Sequence, residues 1–146
     1  MAAQDRSHLI QALGRAPFSA TLGLKIEFAA DGAATVRMPF DLRLLNEGGP
    51  SEPIHGGAIA ALADVAACAA VWSLAATTRT ATISITVNYT GFAVNSDLVA
   101  RARVKRHGKR IASVSGSTPT TRRTLVPWCF TSSTINVGPH IASPRM

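Results

Sequence analysis

The sequence predicts an α+β domain in which one long helix lies against a curved, mainly antiparallel β-sheet. Three observations support this prediction: an apolar, alanine-rich run over residues 58–76, alternation of apolar and polar residues from Thr80 onward, and turn residues between the alternating stretches. The chain has 146 residues, enough for one domain, 1–146, that buries roughly two thirds of its unfolded surface. We expect the packed core over about 20–137 and a loose tail over 138–146.

The predicted elements follow in the order helix, two strands, one long helix and four strands. A short amphipathic helix is expected over 5–14, where a glycine and then a proline end the pattern. Two strands are expected over 24–29 and 34–38. They are joined at Asp31-Gly32, a dipeptide that favours the tight turn of a hairpin.

The long helix runs to about Ala76, and four predicted strands follow it. The first of them has a period of two and therefore two distinct faces. Its apolar positions are Ile83, Ile85, Val87 and Tyr89, and its polar positions are Thr82, Ser84, Thr86 and Asn88. The other three strands are expected over 98–105, 111–117 and 125–137, with a turn over 106–110.

Charge and cysteine content indicate the partner and the compartment. The net charge of +7 arises from the last 49 residues, which hold nine Lys and Arg and no acid, so an anionic partner is expected there. Cys68 and Cys129 form no metal or disulfide motif, which is typical of reduced thiols in a cytoplasmic protein. The N-terminal stretch lacks a signal-peptide pattern. The run over 58–76 is mostly alanine and contains Asp64, so we expect a buried helix and no membrane association.

Asp64 and the segment His55-Gly56-Gly57 are the candidate functional residues of the long helix. An isolated acid on a helix usually faces solvent, but apolar residues surround Asp64 and no polar stripe passes it. A carboxylate in a cleft is a candidate base or nucleophile. His55 could cap the helix, and the glycines allow a ligand to approach unpaired amides, which suit an oxyanion. Gly56 and Asp64 are about 12 Å apart along one helix, so a shared site needs two helices and predicts a dimer.

These residues resemble those of the hotdog-fold acyl-CoA thioesterases, in particular the phenylacetate-pathway and 4-hydroxybenzoyl-CoA types, in which an acid lies nine residues after the His of a His-Gly-Gly segment. The strand sequence TISITVNY and the turn sequence VKRHGKRIA add to the resemblance, and the element order agrees over 20–137. The resemblance implies acyl-CoA hydrolysis without a metal or organic cofactor. It also implies a homodimer with the site at its interface, often doubled into a homotetramer.

The resemblance assigns a role to each site residue. Asp64 would activate water or attack the thioester, the amide of Gly56 would polarise the carbonyl, and His55 would support that loop. Thr82 would help to hold the water. Coenzyme A contacts would come from Gly57, Tyr89, Arg106, His107, Gly108, Lys109 and Arg110.

Three positions depart from the family pattern. Many relatives have an Asn or Gln six residues before the His, where this chain has Gly49. Asn46 lies nine residues before the His, in a loop enlarged by the sequence GGPSEP, and is a candidate substrate contact in its place. Cys68 stands where some relatives have a hydroxyl one turn after the acid. Thr90-Gly91-Phe92 stands where relatives commonly have a basic residue and proline.

Besides hydrolysis of an aryl or medium-chain acyl-CoA, the sequence allows three other functions. A non-catalytic acyl-CoA-binding module fits the departures but leaves Asp64 unexplained. A dehydratase or hydratase needs a His paired with an acid, and no second His lies near position 64 in the sequence, so His107 and His140 could reach Asp64 only through the fold. Nucleic-acid binding is the weakest alternative, because no aromatic platform accompanies the basic turn.

Overall fold

A computed structural model describes residues 3–74, 80–118 and 130–137. The helices are α1 (Ala3–Arg15), α2 (Pro17–Thr21) and α3 (Gly56–Leu74), with a 3-10 turn at Leu42–Leu44. The strands are β1 (Lys25–Ala30), β2 (Ala33–Met38), β3 (Thr80–Asn88), β4 (Leu98–His107), β5 (Ile111–Ser117) and β6 (Phe130–Val137).

The six strands of the described chain form one sheet in the order β1-β2-β4-β5-β6-β3, and every neighbouring pair is antiparallel. The core lies between this sheet and α3. Among its fully buried side chains are Val36, Met38, Leu62, Val71 and Leu98. The predicted fold class is therefore confirmed, with the long helix against a curved antiparallel sheet.

The predicted hairpin at Asp31-Gly32 is also confirmed. Both residues have positive φ, 50° and 73°, the conformation that a two-residue hairpin turn requires. A Cβ at position 32 would lie only 2.8 Å from Cδ1 of Leu74, so the Leu74 side chain would have to shift for any other residue, although the backbone angle is the stronger reason for glycine. The Gly32 amide donates a 2.8 Å hydrogen bond to Oγ of Ser73, which ties the turn to the end of α3.

The sequence prediction of which β3 side chains share a face was wrong for the first part of the strand. Pairing with β6 shifts register between Thr82 and Ser84, which is the mark of a β-bulge at Ile83. One inserted residue reverses the alternation, so Thr82 lies on the same face as Ile85 and Tyr89. Its partner on β6 is Ile135, which is fully buried, and this identifies the face that turns toward α3.

The predicted turn at 106–110 also needs correction. β4 continues to His107, because Arg106 pairs with Ser113 and His107 with Ala112 after a register shift near Lys105. The turn itself is thus shorter. Helix α1 extends beyond the predicted 5–14, and α2 and the 3-10 turn were not predicted. The predicted end of the long helix at 75–76, the strand segment 125–129 with Cys129, the tail 138–146 and His140 all lie outside the described residues.

Helix α3 is long and apolar enough to pass a test for membrane spans by length and composition. Its packing explains that composition. Nine of its residues are buried and six of these are alanines, so the backbone of the helix can approach the sheet closely. We therefore interpret α3 as the core helix of the domain.

Candidate functional site

An open groove runs between one side of α3 and the inner face of the edge strand β3. All the side chains that line it are half-buried or exposed. The α3 side of this α3–β3 groove consists of Ala61, Asp64, Cys68 and Trp72, and the β3 side of Thr80, Thr82, Ile85 and Tyr89. Three hydrogen bonds cross it, at Tyr89–Gly56, Thr82–Asp64 and Trp72–Thr80.

Asp64 lies in the middle of this groove and is held by a hydroxyl. Oγ1 of Thr82 donates a 2.6 Å hydrogen bond to Oδ1 of Asp64. The carboxylate is only half-buried, so one oxygen is oriented by the protein while the group stays accessible to a ligand. This contact depends on the bulge at Ile83, because without it Thr82 would point to the opposite face.

Cys68 lies one helical turn after Asp64 and remains a thiol at neutral pH. Burial and the negative charge of Asp64 raise the pKa of Cys68 to about 11, although hydrogen bonds from Thr80 and Thr82 act in the opposite direction. Oγ1 of Thr80 lies 3.8 Å from Sγ of Cys68 and accepts a 2.9 Å hydrogen bond from Nε1 of Trp72. The side chain of Cys68 is therefore a weakly polar part of the groove lining. It does not act as a nucleophile, because a thiol must be deprotonated to do so.

Among the described residues, the N-terminus of α3 leaves one backbone amide without a partner. The amide of Gly57 donates to Nδ1 of His55 at 2.9 Å, and the amides of Ala58 and Ile59 donate to the carbonyl oxygen of His55. Within the described part of the chain, no acceptor is found for the amide of Gly56. His55 thus caps the helix, as one sequence interpretation proposed, and its cap singles out Gly56 as the donor available to a ligand.

Tyr89 contacts this same helix end. Its hydroxyl donates a 2.8 Å hydrogen bond to the carbonyl oxygen of Gly56. A Cβ at position 56 would lie 3.3 Å from the Tyr89 ring, so the aromatic ring itself favours glycine there. Asn46 lies in the same region. Its backbone amide donates a hydrogen bond to the carbonyl oxygen of Pro53, and the backbone amide of His55 donates one to the carbonyl oxygen of Leu44. The side chain of Asn46 is exposed.

The basic turn lies at the other end of the sheet. Arg106, Gly108, Lys109 and Arg110 line a surface cavity of about 560 Å³ together with Ile111 and Ser113. Among the described residues, none of the four basic and histidine side chains over 106–110 forms an ion pair. His107, at the end of β4, is exposed and is not part of the cavity lining.

The structure does not bring Tyr89 and the basic turn together in one chain. Ile111 pairs with Asn136, next to the pair of Val137 with Thr80, so the turn lies at the Thr80 end of β3. Eight strand residues, roughly 26 Å, separate that end from the Tyr89 end. The predicted coenzyme A contacts therefore form two groups that one chain holds apart. Gly56 and Asp64 are likewise separated along α3 by about 12 Å.

Comparison with known proteins identifies the family. A model of the thioesterase superfamily matches residues 53–117, which include the N-terminus of α3, Asp64 and Thr82. A Halobacterium salinarum protein named as a candidate esterase is 37% identical over 103 residues, which make up 67% of this chain and 68% of the relative. The chain belongs to the thioesterase superfamily and is a thioesterase-type hydrolase.

Solved structures agree with this assignment at the level of the fold. The PaaI protein of the E. coli phenylacetic acid degradation operon has a TM-score of 0.73 and 23% identity, with 92% of this chain and 91% of that chain covered. A hypothetical thioesterase of Streptococcus pneumoniae, solved with coenzyme A, has a TM-score of 0.69 and 19% identity, covering 94% of this chain and 97% of the other. The fold is therefore the hotdog fold that the sequence resemblance implied.

Sequence reasoning missed Trp72 and Thr80 as groove residues. Trp72 follows Asp64 at i+8 and so lies on the same side of α3, which was a usable signal. No local pattern connects Thr80 to Trp72, because their contact depends on how β3 packs beside the helix.

Removing the hydroxyl of Thr82 tests whether it orients Asp64. We expect Thr82→Val to lower kcat for thioester hydrolysis about tenfold with little change in KM, because the variant loses a hydrogen bond to a charged group and keeps the side-chain volume. Thr82→Ser retains the hydroxyl and should stay near wild type. A wild-type kcat in Thr82→Val together with a loss in Thr82→Ser would show that the methyl group, and so packing, is what matters at this position.

Proposed function

We propose that the protein is an acyl-CoA thioesterase that hydrolyses aryl- or medium-chain acyl-CoA to the free acid and coenzyme A. The observation that supports this most directly is the carboxylate of Asp64, accessible in the α3–β3 groove and oriented by Thr82 at 2.6 Å. The amide of Gly56 supplies the second element of such a site, a donor for the oxyanion that forms when the thioester carbonyl is attacked.

In the general-base form of the mechanism, Asp64 takes a proton from a water molecule as the water oxygen bonds to the carbonyl carbon. The carbonyl oxygen becomes an oxyanion bound by the amide of Gly56. Collapse of this intermediate breaks the C–S bond, and the coenzyme A thiolate takes the proton from Asp64. If Asp64 instead attacks the carbonyl carbon itself, the C–S bond breaks, coenzyme A leaves as its thiolate and a mixed anhydride forms. Water then hydrolyses the anhydride, which releases the acid, returns the Asp64 carboxylate and supplies the proton that the thiolate takes up. Neither form needs a metal or an organic cofactor.

The proposed site takes residues from two copies of the chain. The pairs Asp64–Thr82 and Gly56–Tyr89 each join α3 to β3, and they lie on either side of a point near Ala60 and Ile85. A two-fold axis through this point would exchange the two pairs. It would bring Gly56 of the second copy beside Asp64 of the first.

The edge strand β3 offers a surface for this pairing. β3 is the last strand of the sheet, and Ile83 and Ile85 on it are 57% and 36% exposed. Antiparallel pairing of β3 with its copy would continue the sheet and cover an exposed edge. We further propose that two dimers assemble into a homotetramer, and that the protein acts in the cytoplasm as one thioesterase domain spanning 1–146.

The same arrangement explains the separated coenzyme A contacts. With the two-fold axis near Ile85, the Tyr89 end of one copy lies next to the Thr80 end of the other. Gly57 and Tyr89 of one copy would then meet the basic turn of its partner. We assign the cavity of Arg106, Gly108, Lys109 and Arg110 to the phosphates, because guanidinium and ammonium groups that pair with no carboxylate of the described residues suit a polyanion. His107 and Asn46 remain proposed contacts at the rims of the site.

Release of free thiol from a panel of thioesters tests this function. We expect wild-type protein to hydrolyse phenylacetyl-, hydroxybenzoyl- or hexanoyl-CoA, with weaker activity toward acetyl-CoA. A protein that binds these compounds without hydrolysing them would instead be an acyl-CoA-binding module. Hydration of an enoyl-CoA without thiol release would support a hydratase, although no hydrogen bond joins His107 to Asp64 in the described structure. Binding of oligonucleotides in preference to coenzyme A would support the nucleic-acid alternative.

A further inference from the structure

Trp72 lies on the α3 side of the α3–β3 groove beyond Asp64, and its indole is hydrogen-bonded to β3. Asp64, Cys68 and Trp72 follow one another at intervals of four residues and lie on one side of α3, so Trp72 is about 12 Å beyond Asp64 along the helix axis. Nε1 of Trp72 donates to Oγ1 of Thr80 at 2.9 Å, which ties the ring to the first residue of β3. Oγ1 of Thr80 also lies 3.8 Å from Sγ of Cys68. The three side chains therefore form one connected end wall.

We propose that Trp72 is a specificity-determining residue: held by Thr80, it forms the end wall of the acyl pocket and limits the acyl group to about two helical turns, ~12 Å. This proposal rests on the proposed function and adds to it the acyl size that the site accepts. The preferred substrates are then thioesters of aryl and short-to-medium acyl groups, and long-chain fatty acyl-CoA is excluded by the indole.

The geometry of the proposed dimer indicates why the acyl group extends toward Trp72. On the other side of Asp64, toward the N-terminus of α3, the two-fold axis passes near Ala60, and the second copy occupies the groove. The stretch from Asp64 to Trp72 lies between α3 and β3, two strands away from the cavity at the β4–β5 turn that we assign to the phosphates. Its lining suits an apolar group, because Cys68 is a neutral thiol and the indole of Trp72 has its only polar atom paired with Thr80.

The test measures kcat/KM for acetyl-, hexanoyl-, phenylacetyl-, lauroyl- and palmitoyl-CoA in each variant. We expect Trp72→Ala to raise the lauroyl-to-hexanoyl ratio of kcat/KM by about tenfold or more, because the end wall is removed. Trp72→Phe keeps an aromatic ring of smaller size without its N–H and should stay close to the wild-type ratio. Each ratio is internal to one variant, so a general loss of folded protein or of activity does not change it.

A second variant tests the same pocket in the opposite direction. Cys68→Leu places a larger side chain between Asp64 and Trp72, and we expect it to lower the hexanoyl-to-acetyl ratio by about tenfold. If wild type hydrolyses the thioesters but the ratios are unchanged in Trp72→Ala and Cys68→Leu, the proposal that Trp72 ends the acyl pocket is wrong. That result would not contradict the proposed thioesterase function. A wild type that hydrolyses none of the five thioesters would overturn both.

Discussion

Replacing Asp64 by asparagine is expected to lower kcat for acyl-CoA hydrolysis by roughly a hundredfold or more. Asparagine is close to aspartate in size and its carbonyl oxygen can accept the hydrogen bond from Thr82, so the groove should keep its shape. It cannot take a proton from water, and it is a poor nucleophile. The variant and wild type should be compared at equal concentrations of folded protein, with thiol release as the measurement.

The matched control is Asp31→Asn. Asp31 is an exposed carboxylate in the β1–β2 turn, and asparagine tolerates its positive φ. It removes the same charge in a turn that contacts α3 at Ser73, more than two helical turns beyond Asp64, so its activity should equal that of wild type. A kcat for Asp64→Asn that equals that of wild type would contradict the proposed mechanism. Binding of the acyl-CoA should persist in Asp64→Asn, since the coenzyme A contacts are untouched.

The second large effect is expected at Gly56. Gly56→Pro removes the amide that has no acceptor in the described chain, and proline is well tolerated at the first position of a helix. We expect a loss of about a hundredfold to a thousandfold in kcat, the range found when one oxyanion donor is deleted. Gly56→Ala is the matched control, because it adds a Cβ against the Tyr89 ring but keeps the amide. A loss of similar size in Gly56→Ala would assign the effect to crowding.

A mixed assembly of the two inactive variants tests whether the site spans two copies. Asp64→Asn and Gly56→Pro chains, co-expressed with different affinity tags and purified through both, give heterodimers in which one of two sites has both native groups. We expect these heterodimers to recover about half of the wild-type activity per dimer. Heterodimers no more active than either parent would mean that Asp64 and Gly56 do not act across the interface.

The sequence was sufficient where the relevant contacts are local. The hairpin at Asp31-Gly32 is predicted by two residues because the turn conformation depends on their own backbone angles. The long helix is predicted by its composition, and the position of Asp64 follows from the apolar residues around it. The capping role of His55, one of two interpretations, is confirmed by the hydrogen bond from the amide of Gly57 to Nδ1 of His55. The amide of Gly56 has no acceptor in the described chain, and its role toward an oxyanion stays a prediction.

The sequence failed where a contact depends on pairing between distant segments. The alternation of apolar and polar residues in β3 put Thr82 on the polar face, yet the register with β6 contains a bulge that turns Thr82 toward Asp64. A bulge has no reliable local signature, since it depends on both strands. The resemblance likewise grouped Tyr89 with the basic turn, and only the sheet topology shows that they lie at opposite ends.

By itself, the sequence determined the class of fold, the order of its main elements and two candidate positions on one helix, its N-terminus and Asp64 near its middle, because helix periodicity and turn residues act over a few positions. The tertiary structure decided which partners those residues have. Thr82 reaches Asp64, Tyr89 reaches Gly56 and Trp72 reaches Thr80 because β3 packs beside α3 with a one-residue bulge, and that arrangement is set by β6 and the sheet as a whole.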